Sequence, residues 1–345
     1  MNIAHVNLAR GFRGGEKQTV ILIKELSKMG GVSHQTLVCR DDSPMREALS
    51  DVLNISFYKA NNIFDGHLTQ LSADMLHAHD AKAIHWAYIN KKIYKAPYIF
   101  TKRVDLPVKD KFSNKLSYYG ASAGVGVSDA VVRKIEDFGV SRIYKIPDAG
   151  SDIVENKKEQ LEFRQRFENK FIVGHIGALV DRDKGQKVIL KAVELLNKQN
   201  NDFVFVFFGE GEDEKVLKKI SKGFENVFWM GFDSNVDSYI SAFDAFVFPS
   251  RSEGMGSILI DVMQAGVPIV ASRVGGIPDI IADKDNGLLI ESGDYEKLAS
   301  NLLDIKNNLM LRERLIKNGI SESEKYSALS IAQKYFDIYE RVLSE

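Results

Sequence analysis

The sequence predicts an α/β protein built from two doubly wound parallel sheets. Its 345 residues exceed the ~250–300 residues at which a single hydrophobic core usually stops growing. Short runs of β-branched and aromatic residues alternate with amphipathic segments of helical period, which is typical of strand–helix–strand units. The alternation is interrupted by one highly charged segment, residues 155–170, and then begins again. Two domains are therefore expected.

Apolar runs give the positions of the expected strands. Before the charged segment they lie near residues 2–7, 35–39, 54–58, 74–78, 97–101, 123–127 and 142–147. After it they lie near residues 171–176, 203–208, 226–230, 245–249, 268–271 and 287–290. Helical periodicity predicts a helix over 15–29 and a long amphipathic helix over 327–343. We expect a first domain over 1–160, a second over 165–326, and a final helix, 327–345, that packs back on the first.

Composition excludes several classes of protein. Cys39 is the only cysteine, so no disulfide can form within the chain. The net charge of −1 divides into +5 for residues 1–165 (24 Lys and Arg against 19 Asp and Glu) and −6 for the remainder. A nucleic-acid binder would be more uniformly basic. No run of about 18 apolar residues is present, and the N-terminus is typical of a first strand rather than a signal peptide. A cytoplasmic location is expected.

A glycine pair follows the first strand, in the run Gly11 to Glu16 that contains Gly14 and Gly15. Adjacent glycines allow a ligand to approach the backbone closely, and the next helix offers its free amides to an anion. We expect contact with a phosphate or a sugar here; an ordinary strand–helix turn is the alternative. The spacing differs from Gly-x-Gly-x-x-Gly, which disfavours a dinucleotide site.

The second half begins with a comparable turn. A strand ends at Gly177, and a cationic loop with Arg182 and Lys184 precedes a helix. Such cations can neutralise a leaving diphosphate, although they could also be solvated surface charges. Glu210 follows the next strand in a similar turn.

The most specific motif is the run from Phe248 to Asp261. Glu253 lies in a glycine-rich turn and Asp261 just over one turn into the following helix, so both carboxylates can accept hydrogen bonds from one hydroxylated ligand. The helix start offers free amides for phosphate. A second glycine-rich loop, 274–279, is expected at the same sheet edge. The backbone contacts are assigned to Gly254, Met255, Gly256 and Ser257.

Two Asp-x-Asp tripeptides, 181–183 and 283–285, have the form used by metal-dependent transferases. Such tripeptides are common by chance in a charged chain, and we expect no metal site.

Taken together and in this order, the motifs resemble glycosyltransferase family 4 over essentially the whole chain. The resemblance implies the GT-B fold, in which two Rossmann-like domains face a central cleft. It also implies a retaining, metal-independent reaction, with no cofactor besides a nucleotide-sugar donor linked to UDP or GDP. The chain is most similar in character to bacterial enzymes of lipopolysaccharide-core or surface-glycan synthesis.

The resemblance also assigns roles. Gly15 and Lys184 would bind the donor diphosphate, with the amides of Gly256 and Ser257. Glu253 would hold the donor sugar, and Asp261 the ribose hydroxyls.

Three positions depart from the family pattern. Asp261 replaces the usual glutamate, and Ala178 replaces an arginine, so that Lys184 acts alone unless Arg182 substitutes. Arg103 stands where the family often has a histidine near the reaction centre, and His79 could compensate. We therefore add Arg103 and His79 to the candidate catalytic residues, with Glu253 and Lys184.

The acceptor is expected on the first domain. Residues 82–115 contain nine Lys and Arg and only two Asp, which suggests contact with an anionic membrane surface and a lipid-linked acceptor. The alternative is a solvated helix face with core aromatics. The interleaved aromatic residues are Trp86, Tyr88, Tyr94, Tyr98 and Phe112. Two alternatives to a glycosyltransferase stay open: a nucleotide-sugar epimerase of the same fold, or a non-catalytic nucleotide-sugar binding protein.

Overall fold

The computed structural model describes residues 1–151, 156–199, 202–233 and 235–345. The chain divides into two compact units. Unit 1 contains Met1–Ala149 and Tyr326–Glu345, and unit 2 contains Gly150–Lys325.

Unit 1 is built on a seven-stranded parallel sheet with the order β3-β2-β1-β4-β5-β6-β7. Its strands are β1 (Asn2–Asn7), β2 (His34–Cys39), β3 (Ile55–Lys59), β4 (Met75–Ala78), β5 (Tyr98–Lys102), β6 (Ala123–Gly126) and β7 (Ile143–Lys145). Its helices are α1 (Gly14–Leu26), α2 (Met45–Ala48), α3 (Ala81–Tyr94), α4 (Phe112–Tyr119) and α5 (Asp129–Glu136), with α13 (Ala328–Leu343) at the C-terminus.

Helix α13 packs on unit 1 through the face expected from its sequence. Ile331, Tyr335 and Ile338 are buried in one cluster with residues of the sheet and of α1, such as Ile3 and Leu26. The apolar stripe of α13 therefore completes the core of unit 1.

Unit 2 repeats the design with six parallel strands in the order β10-β9-β8-β11-β12-β13. They are β8 (Phe171–Ile176), β9 (Phe203–Phe208), β10 (Val227–Gly231), β11 (Ala245–Phe248), β12 (Ile269–Ser272) and β13 (Leu288–Ile290). Its helices are α6 (Lys157–Gln165), α7 (Asp181–Lys184), α8 (Gln186–Asn197), α9 (Glu214–Ile220), α10 (Ile258–Gln264), α11 (Tyr295–Asn307) and α12 (Leu309–Ser323). Short 3-10 helices cover Val236–Ala242, Ile277–Asp279 and Glu324–Tyr326.

The prediction of two parallel α/β sheets is confirmed, and each of the thirteen expected strands lies within two residues of an observed one. Residues 150–151 and 156–160, which the sequence assigned to the first domain, lie in unit 2, and residues 152–155 are outside the described residues. Among the helices that the structure describes, none is long and apolar enough to cross a membrane.

Candidate active site

An ion pair between Lys184 and Glu253 lies at the carboxyl edge of the second sheet. Lys184 Nζ is 2.5 Å from Glu253 Oε2, and the side chains are only 23% and 16% exposed. The same ammonium lies 5.1 Å from the centre of the Phe248 ring, close enough for a cation–π contact. The structure thus brings together two residues that are 69 positions apart in sequence, both assigned to the site from their motifs.

The backbone of Glu253 is held by the second glycine-rich loop. Gly276 N donates to Glu253 O at 3.2 Å. Gly275 has a φ of +54°, and a Cβ built on it would lie 1.7 Å from Glu253 O. Only glycine can therefore occupy position 275 without moving the turn, and the loops 249–256 and 274–278 form one packed structure.

The Lys184 loop is fixed against the same turn. Gly185 has a φ of +68°, and its Cβ would lie 2.1 Å from Pro249 O. Arg251 N donates to Asp183 O at 2.7 Å. Lys184 is consequently positioned by backbone contacts with the segment that carries Glu253.

Two other predicted cofactor-site residues lie outside this pair. The side chain of Arg182 is 74% exposed and pairs with Glu212 at 3.3 Å, so Arg182 does not substitute for a second cation beside Lys184 in this structure. Glu210 is exposed at the end of β9. Gly177 lies close to the pair, since a Cβ on it would be 3.9 Å from the Lys184 side chain.

The turn before α10 contains the backbone groups assigned to phosphate binding. Gly254, Met255 and Gly256 are buried, and Gly256 has a φ of +84°. Among the described residues, no hydrogen-bond acceptor is found for the backbone N–H groups of Gly256 and Ser257. Unpaired amides of this kind are available to an anion.

Asp261 is buried, and its carboxylate is already engaged. Its Oδ1 accepts from Ser151 N at 2.7 Å and its Oδ2 from Ser151 Oγ at 2.6 Å. The contact also anchors the start of unit 2, which the sequence did not suggest.

The Asp-x-Asp tripeptides have structural partners. Asp181 Oδ1 accepts from Lys187 N at 2.7 Å, at the start of α8. Asp283 Oδ1 accepts from Leu289 N at 2.9 Å, and its Oδ2 pairs with Arg273 at 3.1 Å.

In unit 1 the glycine pair opens helix α1 at the carboxyl edge of the first sheet. A Cβ on Gly14 or Gly15 would meet no atom within 4 Å, so the surface of this turn is open. Glu16 Oε2 accepts from Arg13 N at 2.8 Å, which stabilises the helix start.

His79 ends a chain of buried hydrogen bonds. Gln35 Nε2 donates to Ile23 O, so Gln35 Oε1 faces His5 Nε2 at 3.1 Å and accepts a hydrogen bond from it. His5 Nδ1 then accepts from His79 Nε2 at 3.0 Å. We assign these tautomers from the network. They leave the lone pair of His79 Nδ1 buried, with no partner among the described residues.

Burial keeps the histidines of this cluster neutral. It lowers the pKa of His5 from 6.5 to about 4 and lowers the pKa of His77 and His79 well below the usual value, with a further contribution from the neighbouring histidines and Arg103. The parallel register pairs His5 with His77, and His79 follows two positions later on the same face. His77 is fixed by Tyr339 OH at 2.6 Å and Thr101 Oγ1 at 2.8 Å.

The three histidines also have the composition of a metal site. One ligand atom from each lies within 4.8 Å of the others. However, both nitrogens of His77 are in hydrogen bonds, and the Arg103 side chain is 3.4 Å from His79 O. A dication here would have to displace these bonds beside a buried cation, so the arrangement fits a neutral hydrogen-bonded cluster better.

Arg103 is held in a buried ion pair. Its Nε lies 2.9 Å from Asp148 Oδ1, and both side chains are 11% exposed. Arg103 and His79, which the sequence suggested as two candidates for one role, are neighbours, but Asp148 was missed. Nothing in its run, Ile-Pro-Asp-Ala-Gly, marks it as the partner of a residue 45 positions earlier.

His175 is a second residue that the sequence analysis missed. It is buried beneath Gly177, its Nδ1 lies 2.9 Å from Val247 O, and burial lowers its pKa to about 4. The only signal was a polar residue inside an otherwise apolar strand.

The aromatic residues of segment 82–115 correct the expected membrane surface. Trp86 and Tyr98 are fully buried in the core of unit 1, while Phe112 is exposed. Trp86 and Tyr98 therefore cannot contribute to such a surface, and the core-aromatic alternative is correct for these two residues.

Comparisons with known proteins agree with this architecture. Residues 156–322 match the family described as glycosyl transferases group 1. The capsular polysaccharide biosynthesis glycosyltransferase CapM of Staphylococcus aureus is 24% identical over 67% of this chain and 64% of its own length. The lipopolysaccharide core biosynthesis glycosyltransferase LpsD of Rhizobium meliloti is 28% identical over 50% of each chain. The chain thus spans about half to two thirds of the length of these relatives.

Among solved structures, HepE of Anabaena in complex with UDP-glucose superposes with a TM-score of 0.85. It is 18% identical, and the superposition covers 99% of this chain and 100% of that one. The fold is accordingly that of the GT-B glycosyltransferases. The residues that match the group 1 glycosyl transferase family lie in unit 2 and include both members of the Lys184–Glu253 pair.

Proposed function

We propose that the protein transfers a sugar from a nucleoside-diphosphate sugar to a hydroxyl group of a glycan or glycolipid acceptor, with retention of anomeric configuration. The observation that carries the proposal is the shielded Lys184–Glu253 pair, 2.5 Å apart, next to the unpaired amides of Gly256 and Ser257. The named relatives act in capsular polysaccharide and lipopolysaccharide synthesis, and we place the chain in cytoplasmic surface-glycan synthesis.

The charges of the pair suggest how the nucleotide sugar is bound. Without it, Lys184 and Glu253 neutralise each other. A bound diphosphate would attract the Lys184 ammonium, which frees Glu253 to accept hydrogen bonds from the sugar hydroxyls. The exchange replaces one ion pair by another and leaves the Glu253 carboxylate hydrogen-bonded to the sugar.

In the proposed reaction the acceptor hydroxyl attacks the anomeric carbon on the face that the diphosphate leaves. The bond from the anomeric carbon to the phosphate oxygen breaks, and that oxygen takes the acceptor proton. Lys184 and the amides of Gly256 and Ser257 stabilise the charge on the leaving diphosphate. No metal ion is required, and His79 and Arg103 lie on unit 1, where we place the acceptor.

Lys184→Met and Glu253→Gln test the assignment, with Lys198→Met at the C-cap of α8 as a matched control. Lys198 is largely exposed, and its one ion-pair partner among the described residues is Glu194, at 3.2 Å. We expect turnover to fall ~10²-fold or more in the first two variants, the scale of lost charge stabilisation, and to be unchanged in the control. The nucleotide is first chosen by thermal shift with UDP, GDP and ADP sugars.

Product analysis separates the alternatives. NMR of the glycoside should show the anomeric configuration of the donor, and activity should persist in chelator. Release of a free 2-epimer from the nucleotide sugar alone would indicate an epimerase. Binding with neither transfer nor hydrolysis would indicate a non-catalytic protein.

A further inference from the structure

The chain segment at the start of unit 2 is held by side chains on both sides of Gly150. Before it, Gln18 Nε2 donates to Ala149 O at 2.7 Å, and Ala149 N donates to Gln18 Oε1 at 2.8 Å. After it, Ser151 donates two hydrogen bonds to Asp261. Because Ala149 is bound through both of its backbone polar groups, any movement of Ser151 away from Asp261 would have to be taken up at Gly150.

Ser151 binds Asp261 in the way that a vicinal diol binds a carboxylate. Its N–H reaches Asp261 Oδ1 at 2.7 Å and its hydroxyl reaches Oδ2 at 2.6 Å, so each carboxylate oxygen receives one donor. The 2′ and 3′ hydroxyls of a ribose are also two neighbouring donors, one for each oxygen. Ser151 therefore offers Asp261 the same pattern of donors as the ribose of a nucleotide.

Burial makes these two partners of Asp261 mutually exclusive. Asp261 is 5% exposed and Ser151 is 8% exposed, so little of the carboxylate can be reached from outside. The segment also lies close against helix α10, since a Cβ at Gly150 would be 2.8 Å from Ile260 Cγ2 and 2.7 Å from Gln264 Nε2. For ribose hydroxyls to bond to both oxygens of Asp261, the two donors of Ser151 must leave them.

We infer that Ser151 competes with the ribose of the nucleotide for Asp261, and thereby lowers the affinity of the site for the nucleotide sugar. The inference rests on the proposed function, in which the nucleotide sugar binds at Glu253, eight residues before Asp261 in the same motif. The carboxylate keeps two hydrogen bonds in either state, so that its buried charge is never without donors.

Competition has an energetic consequence that an orienting contact does not have. The affinity of a site is reduced by the fraction of molecules in which the site is open, so weakening the Ser151–Asp261 contact should strengthen nucleotide binding. If Ser151 only oriented Asp261 toward the ribose, loss of the same contact would weaken nucleotide binding. The sign of the change in affinity therefore distinguishes the two roles.

Titration calorimetry of Ser151→Ala measures that sign, with UDP, GDP or ADP as selected by the thermal-shift screen. The variant should bind the nucleotide about fivefold more tightly or better, the scale of one lost hydrogen bond to a charged group. Ser151→Thr keeps a hydroxyl and should bind as the native chain does. Ser238→Ala is the matched control, because Ser238 is also buried in unit 2 and donates to the Glu159 carboxylate at 2.8 Å.

A second variant and a second ligand test the same contact independently. Gly150→Ala keeps both donors but pushes the segment away from Ile260, so it should also strengthen binding, even if Ser151→Ala does not fold. The 2′,3′-dideoxy form of the nucleotide has no hydroxyls with which to displace Ser151. It should therefore bind the native chain and Ser151→Ala equally.

Unchanged or weaker binding of the nucleotide to Ser151→Ala would overturn the inference and leave the proposed function intact. An equal gain in Ser238→Ala, or an equal gain with the dideoxy nucleotide, would also overturn it, because the effect would then not arise from the ribose at Asp261. Failure of the native chain to bind UDP, GDP or ADP would instead contradict the proposed function, and the inference with it.

Discussion

Replacement of Gly275 by alanine should damage the site without touching any side chain in it. Gly275 has a φ of +54°, and an added Cβ would lie 1.7 Å from Glu253 O and 2.9 Å from Glu253 C. The left-handed conformation alone costs an alanine roughly 1–2 kcal/mol. The overlap must also be relieved by moving the Glu253 backbone by more than an ångström, since ordinary contacts of a Cβ atom lie at 3.4–4 Å. A displacement of that size can lower turnover ~10²-fold.

Gly231→Ala separates the cost of the left-handed conformation from the effect of the steric overlap. Gly231 also has a positive φ, +77°, but its Cβ would meet no atom within 4 Å. We expect Gly231→Ala to lower the melting temperature modestly and to leave turnover per folded molecule unchanged. Gly275→Ala should lower both, and the thermal shift by the nucleotide sugar should shrink. If the two variants lose the same stability and both keep full turnover, the close approach of Gly275 does not position Glu253.

Two further predictions concern the buried polar network of unit 1. Burial lowers the pKa of His5 from 6.5 to about 4, so between these pH values the unfolded chain binds more protons than the folded chain. The free energy of unfolding should therefore decrease as the pH falls from 6.5 to 4, by about 3 kcal/mol for one such group. Urea unfolding at several pH values checks this, and a flat midpoint over the interval would contradict it. Tyr339→Phe removes the hydroxyl from His77 Nδ1 and should cost ~1–3 kcal/mol, whereas Tyr119→Phe, whose hydroxyl bond to Phe138 O is exposed, should cost less in the same melt.

The strands and the residues at their carboxyl ends could be predicted from the sequence because each depends on a local pattern of residues. Apolar runs predicted β1–β13, and the glycine-rich turns predicted Lys184 and Glu253, which the structure places 2.5 Å apart. Which side chains pair with each other could not be predicted in the same way. Arg103 was predicted as a candidate catalytic residue in the place of a family histidine, and the structure pairs it with Asp148. This pairing depends on which segments the fold brings beside the end of β5.

The burial of the aromatic residues of α3 and α4 could not be predicted from the sequence for the same reason, since it depends on tertiary packing. Sequence composition treated Trp86 and Phe112 alike, as members of one basic and aromatic segment. Trp86 is buried and donates its indole N–H to Asp65 O at 2.7 Å, so its polar atom is satisfied in the core. Phe112 opens a helix whose buried side is formed by Ser117 and Tyr118, and the packing of α4 decides which residues face solvent.

The glycine-rich motifs predict where close backbone contacts occur, but not which backbone groups are in contact. Gly185, Gly209 and Gly275 all have positive φ, and an added Cβ on each would lie about 2 Å from a carbonyl oxygen, those of Pro249, Gly177 and Glu253 respectively. The loops after β8, β9, β11 and β12 are thus packed backbone against backbone. The sequence shows that the glycines are there, but which carbonyl each one faces depends on the strand order. Because backbone packing fixes the loops that carry Lys184 and Glu253, the exchange of partners in the proposed function needs only side-chain movement and no rearrangement of these loops.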